Sequence, residues 1–146
     1  MNLKKKNRLF DMFIDSEVLT FGELHSIGVS KNELKSLMYY GDIKLLEDGT
    51  YALCGTLGML FYASTLYKKG NRERAKAAWE RCLEVKPNNY PAATMLFLES
   101  LLDENFDKAF EYFEVMDKTV NKKFEVEHDL WLLLLSHVTS IPDKYK

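Results

Sequence analysis

The sequence repeats a pattern of side chains at an interval of 34 residues. A small, an aromatic and a compact apolar residue recur in kind at this interval: Ala75, Trp79 and Cys82 become Ala109, Phe113 and Met116. Steps of four and three place such residues on one face of a helix, and a 34-residue period is typical of stacked helix–turn–helix units. These units bury their apolar faces against each other and leave a surface for a partner. The period therefore favours a binding function over catalysis.

The composition is that of a folded protein rather than a disordered one. The 146 residues are 47% hydrophobic and 29% charged, and the net charge of −2 does not advertise nucleic-acid binding. Cys54 and Cys82 lie in apolar surroundings, which predicts two reduced, buried thiols rather than a disulfide. The longest apolar run, residues 130–135, is too short to cross a membrane. We expect a cytoplasmic protein with no membrane partner.

Residues 1–54 carry the signals of three helices followed by a β-hairpin. Capping-box pairs at Thr20 and Ser30, each followed three residues later by Glu, predict the starts of the second and third helices. An Asp-Gly pair between two short strand-like runs predicts a hairpin at Ile43 to Leu53. This hairpin is the only sheet that we expect in an otherwise helical chain.

The order of helices, turn and hairpin in residues 1–54 resembles a winged helix-turn-helix domain. The run from Gly28 to Leu37 and the hairpin after Gly41 are similar to the N-terminal winged domains of abortive-infection-type antitoxin regulators. The third helix would then face DNA, through Lys31, Asn32, Lys35, Ser36 and Tyr39. A basic N-terminus would hold the DNA backbone through Lys4, Lys5, Lys6 and Arg8.

The charge of this first segment leaves its partner open. Residues 1–54 hold seven basic and eight acidic side chains, and the wing tip is acidic at Glu47 and Asp48. A DNA-binding wing usually carries basic residues, and winged helices also dock proteins, so the fold alone does not decide the partner. Two functions stay open: a regulator whose winged helix binds DNA, and an adaptor in which the winged helix binds protein.

Residues 55–146 resemble two tetratricopeptide repeats followed by one unpaired helix. Family positions of the first repeat are occupied by Tyr62, Ala63, Leu66, Gly70, Ala75, Trp79, Cys82 and Pro87. We expect helices at about 56–69, 72–85 and 125–140. The second repeat departs from the family pattern at Phe97, where a small residue is expected, and at Asn121, where a proline is expected. The predicted fold is mostly α: a winged helix-turn-helix, then antiparallel helix pairs of an α-solenoid.

The repeat resemblance implies a groove that binds a protein or peptide. It would be lined by outward residues of each first helix: Leu60, Ser64, Tyr67, Thr94, Leu98 and Leu101. The apolar run 130–135 predicts self-association, a longer repeat array, or packing of Trp131 against the first domain.

Catalysis has little support in the sequence. His25, His128 and His137 are isolated from one another and from the cysteines, and none has the spacing of a metal ligand pair. No glycine-rich phosphate loop or nucleophile elbow occurs. We expect a non-enzymatic protein with no catalytic residues, no metal and no cofactor.

Overall fold

A computed structural model describes residues 1–137 of the chain, and the side chains of residues 1–135. This part forms eight helices and three strands: α1 (Leu3–Asp15), β1 (Val18–Leu19), α2 (Phe21–Ser26), α3 (Lys31–Tyr39), β2 (Ile43–Leu45), β3 (Tyr51–Leu53), α4 (Leu57–Lys68), α5 (Arg72–Val85), α6 (Tyr90–Leu102), α7 (Phe106–Thr119) and α8 (Glu125–His137). The mostly helical fold that the sequence predicts is confirmed. The last three residues of the predicted helix 125–140 lie outside the described residues.

The chain divides into two compact units. Unit 1 comprises residues 1–86 and holds α1 to α5 with all three strands, and unit 2 begins at Pro87 and holds α6 to α8. The sequence placed a domain boundary after residue 54 instead. That boundary separates α4 and α5 from elements with which they form one unit, because α1 packs directly on both helices.

The sheet has one more strand than the sequence predicts. The predicted hairpin forms as β2 and β3, but β1 also pairs antiparallel with β3, so the strand order is β1-β3-β2. The expectation that the hairpin is the whole sheet is therefore wrong. A two-residue strand shows no alternation of apolar and polar residues, although here it pairs with backbone groups that β3 would otherwise leave open. Within residues 1–137, no strand follows residue 55.

The helices of unit 1 begin where their side chains supply caps. Thr20 and Ser30 both accept a hydrogen bond from the backbone of the Glu three residues later, and both capping boxes are complete. Asn2 caps α1 and Asn71 caps α5 in the same way, each accepting from the third helical N–H. The starts of α2 and α3 are thus set locally, as the sequence predicts.

The core of unit 1 forms around α1. Leu9 and Phe13 are fully buried, and the ring of Phe10 lies against the backbone of α4 at Gly58. A Cβ atom at residue 58 would lie 2.1 Å from Cζ of Phe10, so only glycine allows α1 to approach α4 this closely.

An ion-pair network holds α1 to the α4–α5 pair. The guanidinium of Arg74 donates to both carboxylate oxygens of Asp15 at 2.6 and 2.7 Å, and its Nε donates to Asp11 at 3.1 Å. Tyr62 on α4 donates to the same Asp11 oxygen at 2.7 Å. Bidentate arginine–carboxylate geometry is the strongest form of ion pair. The hydrogen bond from Arg74 lowers the pKa of Asp15.

Two helical hairpins repeat with the same turn, 34 residues apart. Asn71 and Asn105 cap α5 and α7 through identical hydrogen bonds, and their own N–H groups donate to Leu66 O and Ser100 O. In each hairpin, the residue before the cap adopts positive φ. Trp79 is buried and its ring contacts Tyr67 of α4, so it lies between the helices of its hairpin as the pattern predicts.

Unit 2 is closed by α8, which packs on the α6–α7 hairpin. His128 is buried; its Nε2 lies 3.0 Å from Asp117 and its Nδ1 lies 3.3 Å from the Tyr90 hydroxyl. Phe97, which departs from the repeat pattern, is fully buried and contacts Trp131 of α8. The large ring therefore fills space between α6 and α8, and Trp131 packs within unit 2.

The repeated turn predicts opposite effects of two substitutions. Gly70 has φ of 85° and Glu104, its counterpart, has φ of 56°. Left-handed backbone is strained for a residue with a Cβ, so Glu104→Gly should raise the free energy of unfolding by about 1 kcal/mol. Gly70→Ala should lower it by about 1 kcal/mol, because an added Cβ meets no atom within 4 Å and adds only backbone strain. Urea unfolding measures both, and a destabilised Glu104→Gly variant would contradict the repeat.

Candidate functional site

Helix α3 presents a polar face to solvent. All five of its predicted DNA contacts are exposed: Lys31, Asn32, Lys35, Ser36 and Tyr39. They alternate with Leu34 and Leu37, which are buried and attach the opposite side of α3 to the core of unit 1. The Nζ atom of Lys31 lies 5.7 Å from the centre of the Phe21 ring, which orients this cation beside α2. The structure thus places the predicted residues together on one open surface.

Glu33, the acidic residue of α3, does not present a free carboxylate on this face. Glu33 accepts hydrogen bonds from the backbone of Ser30 at 3.0 Å and from Lys5 at 3.0 and 3.2 Å. The N-terminal amine of Met1 lies 3.8 Å from the same carboxylate. The backbone hydrogen bond of Ser30, followed by that of Lys5, lowers the pKa of Glu33 to about 2. The exposed face of α3 therefore carries two lysines and no unpaired carboxylate.

The four basic residues of α1 do not act together. Lys5 is the ion-pair partner of Glu33, so its charge is already balanced. Lys6 lines a cavity of about 240 Å³ beside the C-terminal half of α3. Lys4 and Arg8 instead line a separate cleft of about 400 Å³ between α1 and α4. Of the basic N-terminal residues predicted to hold DNA, Lys6 is the one that shares a cavity with α3 and is not ion-paired within the described residues.

The acidic wing tip has a structural role in the turn. Asp48 accepts hydrogen bonds from the backbone N–H of Thr50 at 3.0 Å and from its hydroxyl at 2.6 Å. These bonds lower the pKa of Asp48 and hold the turn that Gly49 completes with φ of 84°. Asp48 is therefore explained by the hairpin, whereas Glu47 is an exposed carboxylate that makes no hydrogen bond within residues 1–137.

The predicted peptide groove is divided between the two units. Its residues on α4 are half-buried or exposed, and those on α6 are half-buried or buried: Leu60, Ser64 and Tyr67, then Thr94, Leu98 and Leu101. Thr94 is buried and its hydroxyl donates to Tyr90 O, so it packs inside unit 2 and offers no surface. The predicted groove omits Leu57 and Phe61, two large apolar residues of α4 whose side chains are exposed. Their four-residue spacing was the available signal.

An apolar stripe runs along the outer side of α8. Val126, Leu130, Leu133 and Leu134 have the spacing of one helical face, and each is more than half exposed. His128 and Trp131 lie on the inner side, against α6 and α7. The run 130–135 is thus divided between a packed side and an open side. Exposed apolar faces of this kind are typical of protein contact sites.

The side chains with reactive chemistry are dispersed. Burial raises the pKa of the Cys82 thiol to about 12, and the Cys54 thiol donates to Gly41 O; both are free cysteines. Within the described part of the chain, no three His, Cys, Asp or Glu side chains are grouped to hold a metal ion.

Comparison of the chain with protein-family models, curated proteins and solved structures finds no match. Between residues 1 and 137, no helix has both the length and the apolar character needed to cross a bilayer.

The Glu33 carboxylate predicts a loss of stability in acid. Its pKa is about 2 in the folded chain against 4.5 ordinarily, so its contribution is present above about pH 4.5 and is lost as pH falls toward 2. Glu33→Gln should lower the urea midpoint at pH 6, and the gap from wild type should narrow by pH 2. Glu47→Gln is the control and should change neither midpoint. A gap of the same size at both pH values would count against this role.

Proposed function

We propose that the chain is a non-enzymatic regulator whose unit 1 binds duplex DNA through α3 and whose unit 2 binds protein. The observation that carries the DNA proposal is the exposed face of α3, where Lys31 and Lys35 flank Asn32 without a competing carboxylate. Lysine binds phosphate, and an asparagine side chain can pair with adenine in the major groove. Such a face suits a recognition helix.

The order of elements in unit 1 supports a winged helix-turn-helix. The chain runs α1-β1-α2-α3-β2-β3, and the two capped helices α2 and α3 are followed by a hairpin that pairs with β1. In such a domain the second helix of the helix-turn-helix enters the major groove and the hairpin forms the wing. The similarity to antitoxin regulators is part of the same proposal.

Charge is divided between the units in a direction that agrees with these roles. Residues 1–86 contain 14 Lys and Arg against 11 Asp and Glu, a net of +3. Residues 87–146 contain 6 against 11, a net of −5. The overall charge of −2 therefore conceals a basic unit, which DNA attracts. The surplus lies in residues 55–86, with seven basic against three acidic side chains, because residues 1–54 alone have a net charge of −1.

Salt-dependent binding of duplex DNA tests the proposal. Wild type should bind pooled duplexes at low salt, with affinity that falls steeply as salt rises because each neutralised phosphate releases counterions. Lys31→Ala with Lys35→Ala should reduce the salt slope by about two. Asn32→Ala should weaken sequence preference more than affinity.

A matched control is available within unit 1. Lys68→Ala with Lys86→Ala removes the same charge from exposed sites outside α3 and should leave most of the binding intact. Equal losses in the two double variants would show a general charge effect and not an α3 interface. No binding at low salt would leave the alternative, an adaptor whose winged helix docks protein.

The stripe on α8 supports the protein-binding role, with a second copy of the chain as the partner. The apolar side chains of this stripe can pack against the same face of a second copy about a two-fold axis, with the exposed carboxylates of Glu127 and Asp129 at its edges. Leu130→Glu with Leu133→Glu should convert a concentration-dependent dimer into a monomer in sedimentation experiments. Asn88→Glu with Leu102→Glu adds the same charge at exposed sites outside α8 and is the control. A wild-type monomer at all concentrations would overturn self-association.

A further inference from the structure

The cleft between α1 and α4 in unit 1 is lined by cations that have no ion-pair partner within residues 1–137. Its volume is about 400 Å³, within the range of small-molecule sites. Ten residues from α1, the α2–α3 turn and α4 line it, and three of these are the exposed cations Lys4, Arg8 and Lys69. None of the three makes an ion pair within residues 1–137.

One wall of the cleft, α1, presents two cations at helical spacing. Lys4 and Arg8 are four residues apart on α1, so they lie about 6 Å apart along its axis. The facing wall, formed by α4 and the residue after it, supplies one cation, Lys69, four residues after the hydroxyl side chain of Thr65. A ligand between the helices would therefore meet cations from both sides.

The carboxylate in the cleft does not cancel this charge. Asp11 accepts hydrogen bonds from Tyr62 at 2.7 Å and from Arg74 at 3.1 Å. Arg74 is shared with Asp15, so the two carboxylates keep one negative charge against the three cations of the cleft. The same contacts fix the walls, because they join α1 to α4 and α5. Burial and the neighbouring Asp11 raise the pKa of Tyr62, which stays a protonated donor.

A second cavity in unit 1 serves as a contrast. It has a volume of about 420 Å³ and is lined by Lys44 and Arg81, but also by Glu17 and Glu84. Arg81 is paired with Glu84 and donates to Ile14 O, so this cavity is balanced in charge. An excess of free cations distinguishes the α1–α4 cleft.

We propose that the α1–α4 cleft binds a phosphorylated small molecule through Lys4, Arg8 and Lys69. The arginine fork matches two phosphate oxygens, and the lysines supply point charges for the others. The apolar lining residues Met12, Ile27 and Leu66 would contact a nonpolar or aromatic remainder. A nucleoside diphosphate has both parts. This site is separate from α3, and the proposal does not depend on DNA binding.

Calorimetric titration of the full chain with ADP and with pyrophosphate tests the proposal. Both should bind saturably at one site, and ADP should bind more tightly because its base gains the apolar contacts. The triple variant Lys4→Ala, Arg8→Ala, Lys69→Ala should lose affinity by roughly 100-fold, as expected for several charge-assisted hydrogen bonds. Alanine favours helix and the three side chains are exposed, so the variant should fold, and circular dichroism verifies this.

Two further variants separate a site from a general charge effect. Lys31→Ala, Lys35→Ala, Lys86→Ala removes the same charge from unit 1 outside the cleft and should bind ADP as wild type does. Thr65→Phe keeps every charge but occupies the cleft, and should weaken ADP binding more than pyrophosphate binding. Equal losses of ADP affinity in the two triple variants would overturn the proposal.

Duplex DNA is the other source of phosphate and forms the last arm. If the cleft triple variant lost DNA binding while wild type bound neither ADP nor pyrophosphate, the cations would belong to the DNA interface and the proposal would be wrong. If wild type bound ADP but not DNA, the cleft site would stand and the DNA function of α3 would fall. The two proposals therefore fail separately.

Discussion

Unit 1 depends on the contact between α1 and the first helical hairpin. Arg74 reaches from α5 to Asp11 and Asp15 on α1, while Phe10 lies against Gly58 of α4. The ion pairs are partly exposed, so their individual contributions are modest. Packing of the Phe10 ring against Gly58 buries apolar area, and a larger residue at position 58 would not fit. Together these contacts fix the orientation of α1 and how closely it approaches the hairpin. Most other features of unit 1 depend on the position of α1.

The position of α1 connects two surfaces that the sequence keeps apart. Its N-terminal half meets α3 through Lys5 and Glu33, which also completes the cap of α3. Its next face forms one wall of the cleft with α4. A ligand in that cleft would touch the helix that supports α3.

The sequence predicts the features of this fold that depend on neighbouring residues, but not those that depend on residues far apart along the chain. The sequence predicts both capping boxes and the repeated turn, because each depends on side chains within a few residues of one another. Strand β1 could not be predicted, because two residues carry no periodicity. The sequence does not show that Lys4, Lys5 and Lys6 lie at three different sites, because this depends on where α1 packs. The ion-pair partners of Arg74 are about 60 positions away along the chain. Thr94 is predicted to line the groove but is buried, because helical phase does not show which face of α6 is covered.

The two units differ in charge in the same direction as their proposed partners. Unit 1 has a net charge of +3 and concentrates unpaired cations on α3 and in the cleft, where anions gain most. Unit 2 has a net charge of −5, and its helix α8 exposes uncharged leucines. The proposed function therefore assigns anion binding to the basic unit and protein binding to the acidic unit, whose α8 exposes these leucines.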